Sequence, residues 1–465
     1  MRRTLALLVL PLALAGCPRE DSCSVRDQKA AVSDLMGTWY LYPDLLVPVN
    51  PGDPAYATVT DYLDALTADA RAQGLDRYWT YATTVTATRQ FFDEGTSVGF
   101  GIGLLVREDA PPEKRLFVSQ VYAGSAAFDA GFLRGDEILA IGESETTLVD
   151  VATLLAGDAL GSALGPSAAG VSRTFRVLPR GAIDPVLRSP TKRTYSLDPV
   201  PAGWTVIDRT AQGLPPAGYV ALRAFIDPAD PLLEEVFAQF RLAGVRDVVV
   251  DLRYNGGGRL ATAALLSDLL GGARSTTDVM FEIQYRSTAR APDTIPFSPA
   301  PQSIAPFRVA FVTTEGSASA SELVPNVLEA HEHGNVGLVG QRTHGKPVGQ
   351  IPFELNGCDL VIAVVAFRLV NAEGDGAYYD GLPDAAGKFT GAFCGAPDDL
   401  TRETWDPLEE STKAALEWLA TGACPQPQVA AAKPAPTAAK LAATPDRYPA
   451  SPAPDEAQRH VRGLF

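Results

Sequence analysis

Hydrophobic and polar positions divide the chain into stretches of different character. Residues 24–95 are rich in Ala, Leu and Asp, with amphipathic helical spacing in segments such as Val59–Ala72. Residues 98–178 hold short apolar runs between Gly, Pro and Asp turns, which is typical of strands. The strands predicted there are Val98–Val106, Leu116–Val121, Glu137–Ile141 and Thr174–Leu178. The pattern therefore predicts a small helical N-terminal region followed by a β-rich domain.

From about Gly218 onward, apolar runs of strand length alternate with segments of helical periodicity. The predicted strands are Gly218–Phe225, Asp247–Leu252, Arg308–Thr313, Val336–Gly340 and Leu360–Leu369, and the predicted helices are Leu232–Leu242 and Leu260–Leu270. Such alternation indicates a layered α/β domain, which we place at residues 181–424. Residues 425–454 contain 8 Pro and 10 Ala among 30 positions. That composition does not bury a core, so we predict a disordered tail over 425–465.

The first seventeen residues have the layout of an export signal. A basic start, Met1–Arg3, precedes the apolar run Leu5–Leu14, which is too short to span a bilayer. The run ends in Leu-Ala-Gly-Cys, which resembles the bacterial lipobox. Residues 1–16 are thus predicted to be a lipoprotein signal peptide and Cys17 the lipidated residue. An ordinary cleaved signal is the alternative. Lipidation predicts a chain anchored to a membrane of the bacterial cell envelope, in the periplasm or on the outer surface.

Composition and charge limit the classes of molecule that the chain is expected to bind. The 465 residues include 39 Lys+Arg against 55 Asp+Glu, a formal net charge of -16. This charge repels phosphate backbones, so we expect no nucleic-acid binding. Gly340 to Lys346 nearly matches a phosphate loop, but Pro347 stands where the magnesium-binding hydroxyl belongs, so we expect no nucleotide either. We predict no cofactor.

Four cysteines remain after Cys17: Cys23, Cys358, Cys394 and Cys424. They lack the CxxC pairs of a zinc site, and His331 and His333 lack the helical spacing of a zinc pair, so we predict no metal and interpret both histidines as loop residues. Export to an oxidising compartment favours one or two disulfides. We favour Cys394 with Cys424, because both flank the same late helical segment.

Residues 98–178 resemble a PDZ domain. The resemblance is carried by the glycine-rich run 98–104 and by the later run 124–141, Gly-Ser-Ala-Ala-Phe-Asp-Ala-Gly-Phe-Leu-Arg-Gly-Asp-Glu-Ile-Leu-Ala-Ile. It implies binding of a peptide C-terminus, whose carboxylate meets backbone N–H groups while the peptide adds a strand. The peptide-binding residues so implied are Gly99, Phe100, Gly101 and Ile102.

Three segments of the α/β region combine residue types that support nucleophilic catalysis. They are Asp251–Gly258, a strand entering a glycine turn, then Glu315–Leu323, with Ser317, Ser319 and Ser321, and finally Gly340–Gln350, with Lys346. A serine before a helix meets exposed N–H groups and the positive helix end, which stabilise an oxyanion. Lysine serves as its base when burial makes the neutral amine accessible.

At these three segments the chain resembles the C-terminal processing (tail-specific) serine proteases. The resemblance covers roughly residues 30–390 and implies an α/β crotonase-like protease core with an inserted PDZ domain. It also implies a Ser–Lys pair, with Ser319 as nucleophile and Lys346 as base. Gln350 is implied to orient the lysine. Gly256 or Gly257, with the Ala320 N–H, is implied to form the oxyanion hole. The implied partners are polypeptide substrates.

Alternatives remain at this stage. A helix-capping role is the alternative for Ser317, Ser319 and Ser321, because a serine before a helix is commonly its cap. His344 lies close enough in sequence to leave a Ser–His pair open. As a whole, the chain also fits a scaffold that binds peptide ends through its PDZ groove and does not cut them.

Overall fold

The computed structural model describes residues 23–110, 113–355 and 357–425. The predicted signal peptide 1–16, the predicted lipidation site Cys17 and the tail beyond residue 425 lie outside the described residues. No helix within the described ranges has the length and apolar character needed to cross a membrane.

The N-terminal region is mainly helical. Its elements are α1 (Val25–Trp39), α2 (Val59–Leu66), α3 (Ala68–Ala72), β1 (Tyr81–Thr83) and α4 (Val85–Phe92). Helix α2 starts at a capping box in which the Thr58 hydroxyl accepts from the Asp61 amide, and the Asp61 carboxylate accepts from the Thr58 amide. The short β1 was not predicted. It pairs antiparallel with a long strand far along the chain, so the N-terminal region is joined to the α/β part.

The β-rich part forms one main sheet and one two-stranded ribbon. Its elements are β2 (Thr96–Gly99), β3 (Ile102–Ala110), β4 (Glu113–Val121), α5 (Ala126–Asp129), β5 (Glu137–Gly142), β6 (Val149–Asp150), α6 (Val151–Ala156), α7 (Leu160–Leu164), β7 (Thr174–Leu178), β8 (Val186–Arg188) and β9 (Arg193–Ser196). The main sheet runs β3-β4-β5-β7-β8, and β2 pairs with β9. It continues past residue 178, because β8 pairs with β7.

One strand prediction in this part was wrong. Val98–Val106 is two strands, since Gly101 takes a φ of +77° and its backbone turns between Gly99 and Ile102. A Cβ atom at Gly101 would lie 2.1 Å from the Ser125 Cβ, so only glycine allows this close packing. Among the described residues, β3 pairs on one side only, with β4.

The α/β part is built on a largely parallel sheet. Its elements are β10 (Thr205–Ile207), β11 (Ala217–Ala221), α8 (Ala229–Leu242), β12 (Asp247–Asp251), α9 (Leu260–Leu270), β13 (Val279–Tyr285), β14 (Asp293–Pro296), β15 (Arg308–Thr313), α10 (Ala320–Glu332), β16 (Val336–Gly340), β17 (Val348–Glu354), β18 (Val361–Asn371), β19 (Ala392–Gly395) and α11 (Glu410–Thr421). The sheet order is β10-β11-β12-β15-β16-β19, with only β10 antiparallel. The predicted strand, helix, strand alternation is thereby confirmed.

A second, antiparallel sheet packs beside the first. Its long strand β18 pairs with β17 along one edge and with β1 and β13 along the other. Apolar side chains of α1 and α2, including Met36 and Leu63, share a buried cluster with Val348 and Ile362 of the β17–β18 hairpin. Within the described residues, helices α1 and α2 therefore share their core with this hairpin, whereas Phe91 of α4 packs in a different cluster.

Two disulfides tie distant parts of the chain together. Cys394 and Cys424 are bonded, as predicted, which joins β19 to the end of α11. The second disulfide joins Cys23, before α1, to Cys358 in the turn of the β17–β18 hairpin. Its two cysteines are 335 residues apart in sequence.

Candidate active site

The three chemistry-bearing segments meet at one edge of the parallel sheet. Strands β12, β15 and β16 are neighbours and run in the same direction, and each predicted segment follows one of them. Loops after parallel strands gather at the carboxyl edge, which is where α/β sheets place their ligands. Ser319, Lys346 and the glycine turn are thus brought to the same edge, although they lie far apart in the sequence.

Ser319 is the residue directly before α10, and its backbone conformation is unusual. Its φ is 56° and its ψ is -114°, a region that residues with a Cβ atom seldom adopt. Such a conformation costs on the order of 1–3 kcal/mol and persists only where neighbouring contacts fix it. Ser319 is only 9% exposed. Backbone strain at this serine therefore implies a set of contacts that hold it, and these centre on Glu322.

Glu322 is fully buried and holds the serine and lysine segments together. Its Oε2 accepts from the Ser319 amide and from the Lys346 amide, both at 2.8 Å. Its Oε1 accepts from the Gly345 amide at 2.6 Å and from the Thr343 hydroxyl at 2.5 Å. Because one oxygen binds both amides, the backbones of Ser319 and Lys346 lie within two hydrogen-bond lengths of each other.

Burial removes water from the Glu322 carboxylate, and four hydrogen bonds replace part of that solvation. Burial raises the pKa of this carboxyl above its usual range, and the hydrogen bonds from Thr343, Lys346, Gly345 and Ser319 offset part of that rise. The Thr343 hydroxyl oxygen accepts from the Leu382 amide at 2.7 Å. The hydroxyl proton is then directed at Glu322. All four groups around Glu322 are therefore donors, which suits an ionised carboxylate.

Lys346 enters the site in the loop that follows β16. The side chain is 8% exposed, and its Nζ donates to Gln350 Oε1 at 3.0 Å. Gln350 lies on β17, and its Nε2 in turn donates to the Trp79 carbonyl at 2.7 Å. The predicted pairing of Lys346 with Gln350 is thus present as a hydrogen bond, and it continues into the N-terminal region.

The glycine turn after β12 packs directly against the serine. A Cβ atom at Gly257 would lie 2.8 Å from the Ser319 Cβ and 2.9 Å from the Ala320 amide nitrogen. The Gly257 N–H donates to Asn255 Oδ1 at 2.9 Å. By contrast, the Gly256 and Ala320 N–H groups have no acceptor among the described residues. The sequence left two glycines as candidates for the oxyanion hole. Gly256 has an available N–H donor, whereas Gly257 makes the close contact that requires glycine.

The two flanking serines have structural hydrogen bonds. Ser317 Oγ donates to the Leu252 carbonyl at 2.6 Å, and Ser321 Oγ donates to the Asn255 carbonyl at 2.8 Å. Both bonds fix the serine segment to the turn after β12. Of the three serines, Ser319 is the one in the strained position beside Lys346.

Sequence reasoning missed two contributors to this site. Glu322 lies within the predicted serine segment but was assigned no role, although a Glu three residues after a predicted cap is a recognisable capping-box signal. Trp79 carried no signal, because it acts through a backbone carbonyl, which any residue has.

The predicted peptide-binding residues lie at the turn that opens β3. Phe100 and Ile102 point into the core of the β-rich part, since both side chains are fully buried. The Phe100 carbonyl accepts from the Ala127 amide, and the Gly101 carbonyl accepts from the Tyr122 amide. No acceptor for the Phe100 and Gly101 N–H groups occurs within the described part of the chain. These donors lie at the end of the strand that has a free edge.

Away from this edge, one group of side chains in the described ranges has the spacing of metal ligands. Ligand atoms of Glu329, His333 and Glu373 lie within 4.8 Å of one another. His331 is not a loop residue as predicted. It belongs to α10, its ring nitrogen is 2.8 Å from the Val279 carbonyl, and its ring packs edge-on against Phe297.

Comparison with known proteins finds relatives for the part of the chain that carries this site. Residues 216–382 match the model of peptidase family S41. The chain is 27% identical over 269 residues to a carboxyl-terminal-processing protease of Synechocystis sp., a match covering 58% of each protein. It is 29% identical over 276 residues to the chloroplastic carboxyl-terminal-processing peptidase 1 of Arabidopsis thaliana, covering 57% of this chain and 51% of the relative. The matched part thus spans between half and three fifths of these relatives.

A solved structure extends the likeness to most of the fold. An S41 protease of Bacteroides fragilis superposes with a TM-score of 0.63 at 20% identity, over 84% of this chain and 97% of that one. The mixed α/β fold with its β-rich regions is therefore that of the S41 proteases.

Proposed function

We propose, taking the chain as a member of peptidase family S41, that it is an exported, lipid-anchored serine endopeptidase that cleaves polypeptides, near their C-termini in particular. The observation that carries this proposal is the Glu322 carboxylate, which binds the amides of Ser319 and Lys346 through one oxygen. It brings a nucleophile and a base, drawn from loops after different strands, to the edge of the sheet beside a glycine turn.

The proposed reaction is an acyl transfer in two halves. Ser319 Oγ attacks the scissile carbonyl carbon while the neutral Lys346 amine takes the hydroxyl proton. Collapse of the tetrahedral intermediate breaks the C–N bond, and the Lys346 ammonium returns the proton to the leaving amine. Water then attacks the acyl-enzyme with Lys346 as base, which releases the carboxylate product and restores Ser319.

Charge on the carbonyl oxygen requires donors already in place. The Ala320 N–H lies at the start of α10, where unpaired amides and the positive helix end favour an anion. In our proposal the second donor comes from the glycine turn, at Gly256. Loss of one such donor typically lowers kcat by a factor of about 10²–10³.

Substrate recruitment is assigned to the β-rich part, which we interpret as a PDZ domain inserted before a crotonase-like core. Support comes from the free edge of β3 and from the Phe100 and Gly101 N–H groups that open it. A peptide carboxylate would bind these donors while its backbone pairs with β3. The groove would thus bind free C-terminal ends and deliver the chain to Ser319.

Activity is tested with purified mature protein and an unfolded polypeptide substrate. We expect Ser319→Ala and Lys346→Ala to lose activity by at least a factor of about 10³, while the exposed control Ser287→Ala retains it. His344→Ala separates the two candidate bases, since loss there with Lys346→Ala active would favour a Ser–His pair. Activity that persists in Ser319→Ala, or failure of a serine-reactive probe to label Ser319, would favour the non-cutting scaffold.

Anchoring is tested in cells. We expect the wild-type chain in the membrane fraction and Cys17→Ser in the soluble or unprocessed fraction. Membrane association unchanged in Cys17→Ser would contradict lipidation at that residue.

A further inference from the structure

A loop of the N-terminal region reaches the candidate base through Gln350. It consists of residues 76–80, between α3 and β1. We infer that this loop, organised by Asp76 and fixed to the lysine loop by Arg77, positions Gln350 and thereby Lys346 for proton transfer. The inference rests on the proposed function, because it assigns a partner to the base named there.

The orientation of the Gln350 amide is decided by chemistry at both ends. The Trp79 carbonyl only accepts, so the group 2.7 Å from it must be the Gln350 NH₂. The other end of the same amide, Oε1, then faces Lys346 Nζ at 3.0 Å. Without the Trp79 carbonyl, the amide could turn over and present a donor to the lysine. One backbone carbonyl therefore selects the side-chain orientation that accepts a hydrogen bond from the amine.

Asp76 fixes the place of that carbonyl. It is fully buried, and its Oδ1 accepts from the Trp79 amide at 2.8 Å and from the Thr80 amide at 3.0 Å. Its Oδ2 accepts from the Tyr40 hydroxyl at 2.9 Å, which connects the loop to the end of α1. A short loop with two amides on one carboxylate oxygen has little freedom to rotate its peptide groups.

Arg77 joins this loop to the loop that carries the lysine. Its Nη2 donates to the Tyr379 carbonyl at 2.5 Å, and its Nη1 donates to the His344 carbonyl at 3.3 Å. His344 is two residues before Lys346. The Trp79 ring also packs edge-on against the His344 ring and lies 5.9 Å from Lys346 Nζ. The loop thus approaches the base by three routes: the Trp79 carbonyl binds Gln350, Arg77 binds the backbone of the lysine loop, and the Trp79 ring lies beside the Lys346 amine.

Apolar packing supports the contact between the 76–80 loop and Gln350. The buried cluster of α1 and α2 includes Trp79 and also Val348, two residues before Gln350 on β17. The N-terminal region and the strand that carries Gln350 are therefore held by one set of apolar contacts. Asp76 and Arg77 are positioning residues in this scheme, since they act on Lys346 only through Trp79, Gln350 or the lysine loop.

Steady-state kinetics on the full mature chain test the inference. We expect Asp76→Ala and Arg77→Met to lower kcat by a factor of about 10–100 while KM changes less than twofold, because substrate contacts are untouched. Labelling of Ser319 by a small fluorophosphonate should slow by a similar factor, since this reaction needs the base and no peptide groove. Asp76→Asn should restore most of kcat, because its amide oxygen can still accept from Trp79 and Thr80.

Matched controls separate positioning from a general loss of folding. The exposed Asp69→Ala and Arg26→Met should leave kcat, KM and labelling at wild-type values. If Asp76→Ala does not fold, Arg77→Met alone decides, since its side chain is only half-buried. Wild-type kcat in folded Arg77→Met, with Ser319→Ala inactive, would overturn the positioning role and leave the peptidase intact. Activity in Ser319→Ala would instead overturn the proposed function itself.

Discussion

At the scale of single residues, the site depends on a carboxylate that does no chemistry of its own. Glu322 orders four donors from the serine and lysine segments around two oxygens in a buried place. Removing one acceptor from such a set leaves a buried donor without a partner, which costs about 1–3 kcal/mol. Glu322 therefore fixes the position of the Ser319 backbone relative to the Lys346 backbone.

Glu322→Gln tests this dependence with almost no change in volume. An amide must place NH₂ against two donors on one side, either Ser319 and Lys346 or Thr343 and Gly345. We expect the free energy of unfolding to fall by about 1–3 kcal/mol and kcat to fall at least tenfold. Urea unfolding and peptide hydrolysis measure the two effects. The exposed Glu410→Gln is the control, and wild-type kcat in Glu322→Gln would show that Ser319 needs no such support.

Residues of the site differ in how far sequence reveals them. Ser319, Lys346 and Gln350 stand in motifs, so a resemblance is enough to number them. Glu322 becomes intelligible only when the lysine loop folds back onto the capping box, a contact between segments that sequence spacing does not encode. Gly256 and Gly257 have the same letter, and only the bond from Gly257 to Asn255 distinguishes them.

At the scale of elements, the turn after β12 illustrates why glycine is required at one position. Gly257 has a φ of +102°, and a Cβ there would lie 2.8 Å from both the Ala318 carbonyl oxygen and the Ser319 Cβ. Both the dihedral angle and the space exclude a side chain. The serine segment can approach the turn only because this Cβ is missing.

Gly257→Ala should therefore displace Ser319 relative to its neighbours. We expect kcat to fall by at least a factor of about 10² and the melting temperature to fall with it, because strain of 1 kcal/mol or more enters a buried contact. Gly37→Ala is the matched control. Its added Cβ meets no atom within 4 Å, and it lies inside α1, where Ala favours the helix. An active Gly257→Ala enzyme would contradict the tight packing of the glycine turn against Ser319.

Elements were predictable from sequence to the extent that their patterns are local. Helix α9 and strands β15 and β16 begin and end at the predicted residues, because the helical periodicity of the first and the short, mainly apolar runs of the other two are local signals. Strand β1 has three residues and exists through its pairing with β18, so no local pattern marks it. The turn at Gly101 lies inside an apolar run, and the run as a whole has the pattern of a single strand, so the turn was not predicted.

At the scale of the whole molecule, a buried ionic cluster joins three parts of the fold. Arg134 of the β-rich part donates to Asp398 at 2.5 Å, and Arg253, after β12, contacts the same carboxylate at 3.3 Å. Arg253 also pairs with Glu409 at 2.9 Å. The Tyr254 hydroxyl accepts from Arg134 and donates to Asp398. This cluster connects the β-rich part, the glycine turn and the C-terminal segment.

Acid should weaken the molecule through Asp398. Burial alone would raise the pKa of this carboxyl, but Arg134, Arg253 and the Tyr254 hydroxyl outweigh burial and lower the pKa from 3.8 to about 2. A lowered pKa means that the unfolded chain binds the proton more readily, so this stabilisation is complete above about pH 4 and is lost as the pH falls toward 2. The shift corresponds to roughly 2 kcal/mol.

Unfolding by urea at a series of pH values measures this contribution. The difference in unfolding free energy between wild type and Asp398→Asn should be about 3–5 kcal/mol near neutral pH, because a buried pair loses one partner. It should shrink by roughly 2 kcal/mol between pH 4 and pH 2, the window set by the two pKa values. The exposed Asp34→Asn should show no such change. A difference independent of pH would mean that the pKa of Asp398 is the same in the folded and the unfolded chain, which would contradict the lowered value.

The two disulfides should have separable effects, because they restrain different parts of the molecule. Cys394–Cys424 closes a short stretch on the side of the sheet covered by α11, for which loop closure predicts about 3–4 kcal/mol of stability. Cys23–Cys358 instead fixes the start of α1 to the hairpin whose first strand, β17, carries Gln350. If the N-terminal region positions the base, the double variant Cys23→Ser/Cys358→Ser should lose kcat by several-fold. Cys394→Ser/Cys424→Ser should lower the melting temperature and leave kcat within twofold at temperatures where the chain stays folded. Equal loss of kcat in both double variants would mean that the disulfides act on activity only through global stability. A selective loss in the first would tie the proposed base, Lys346, to the docking of the N-terminal helices.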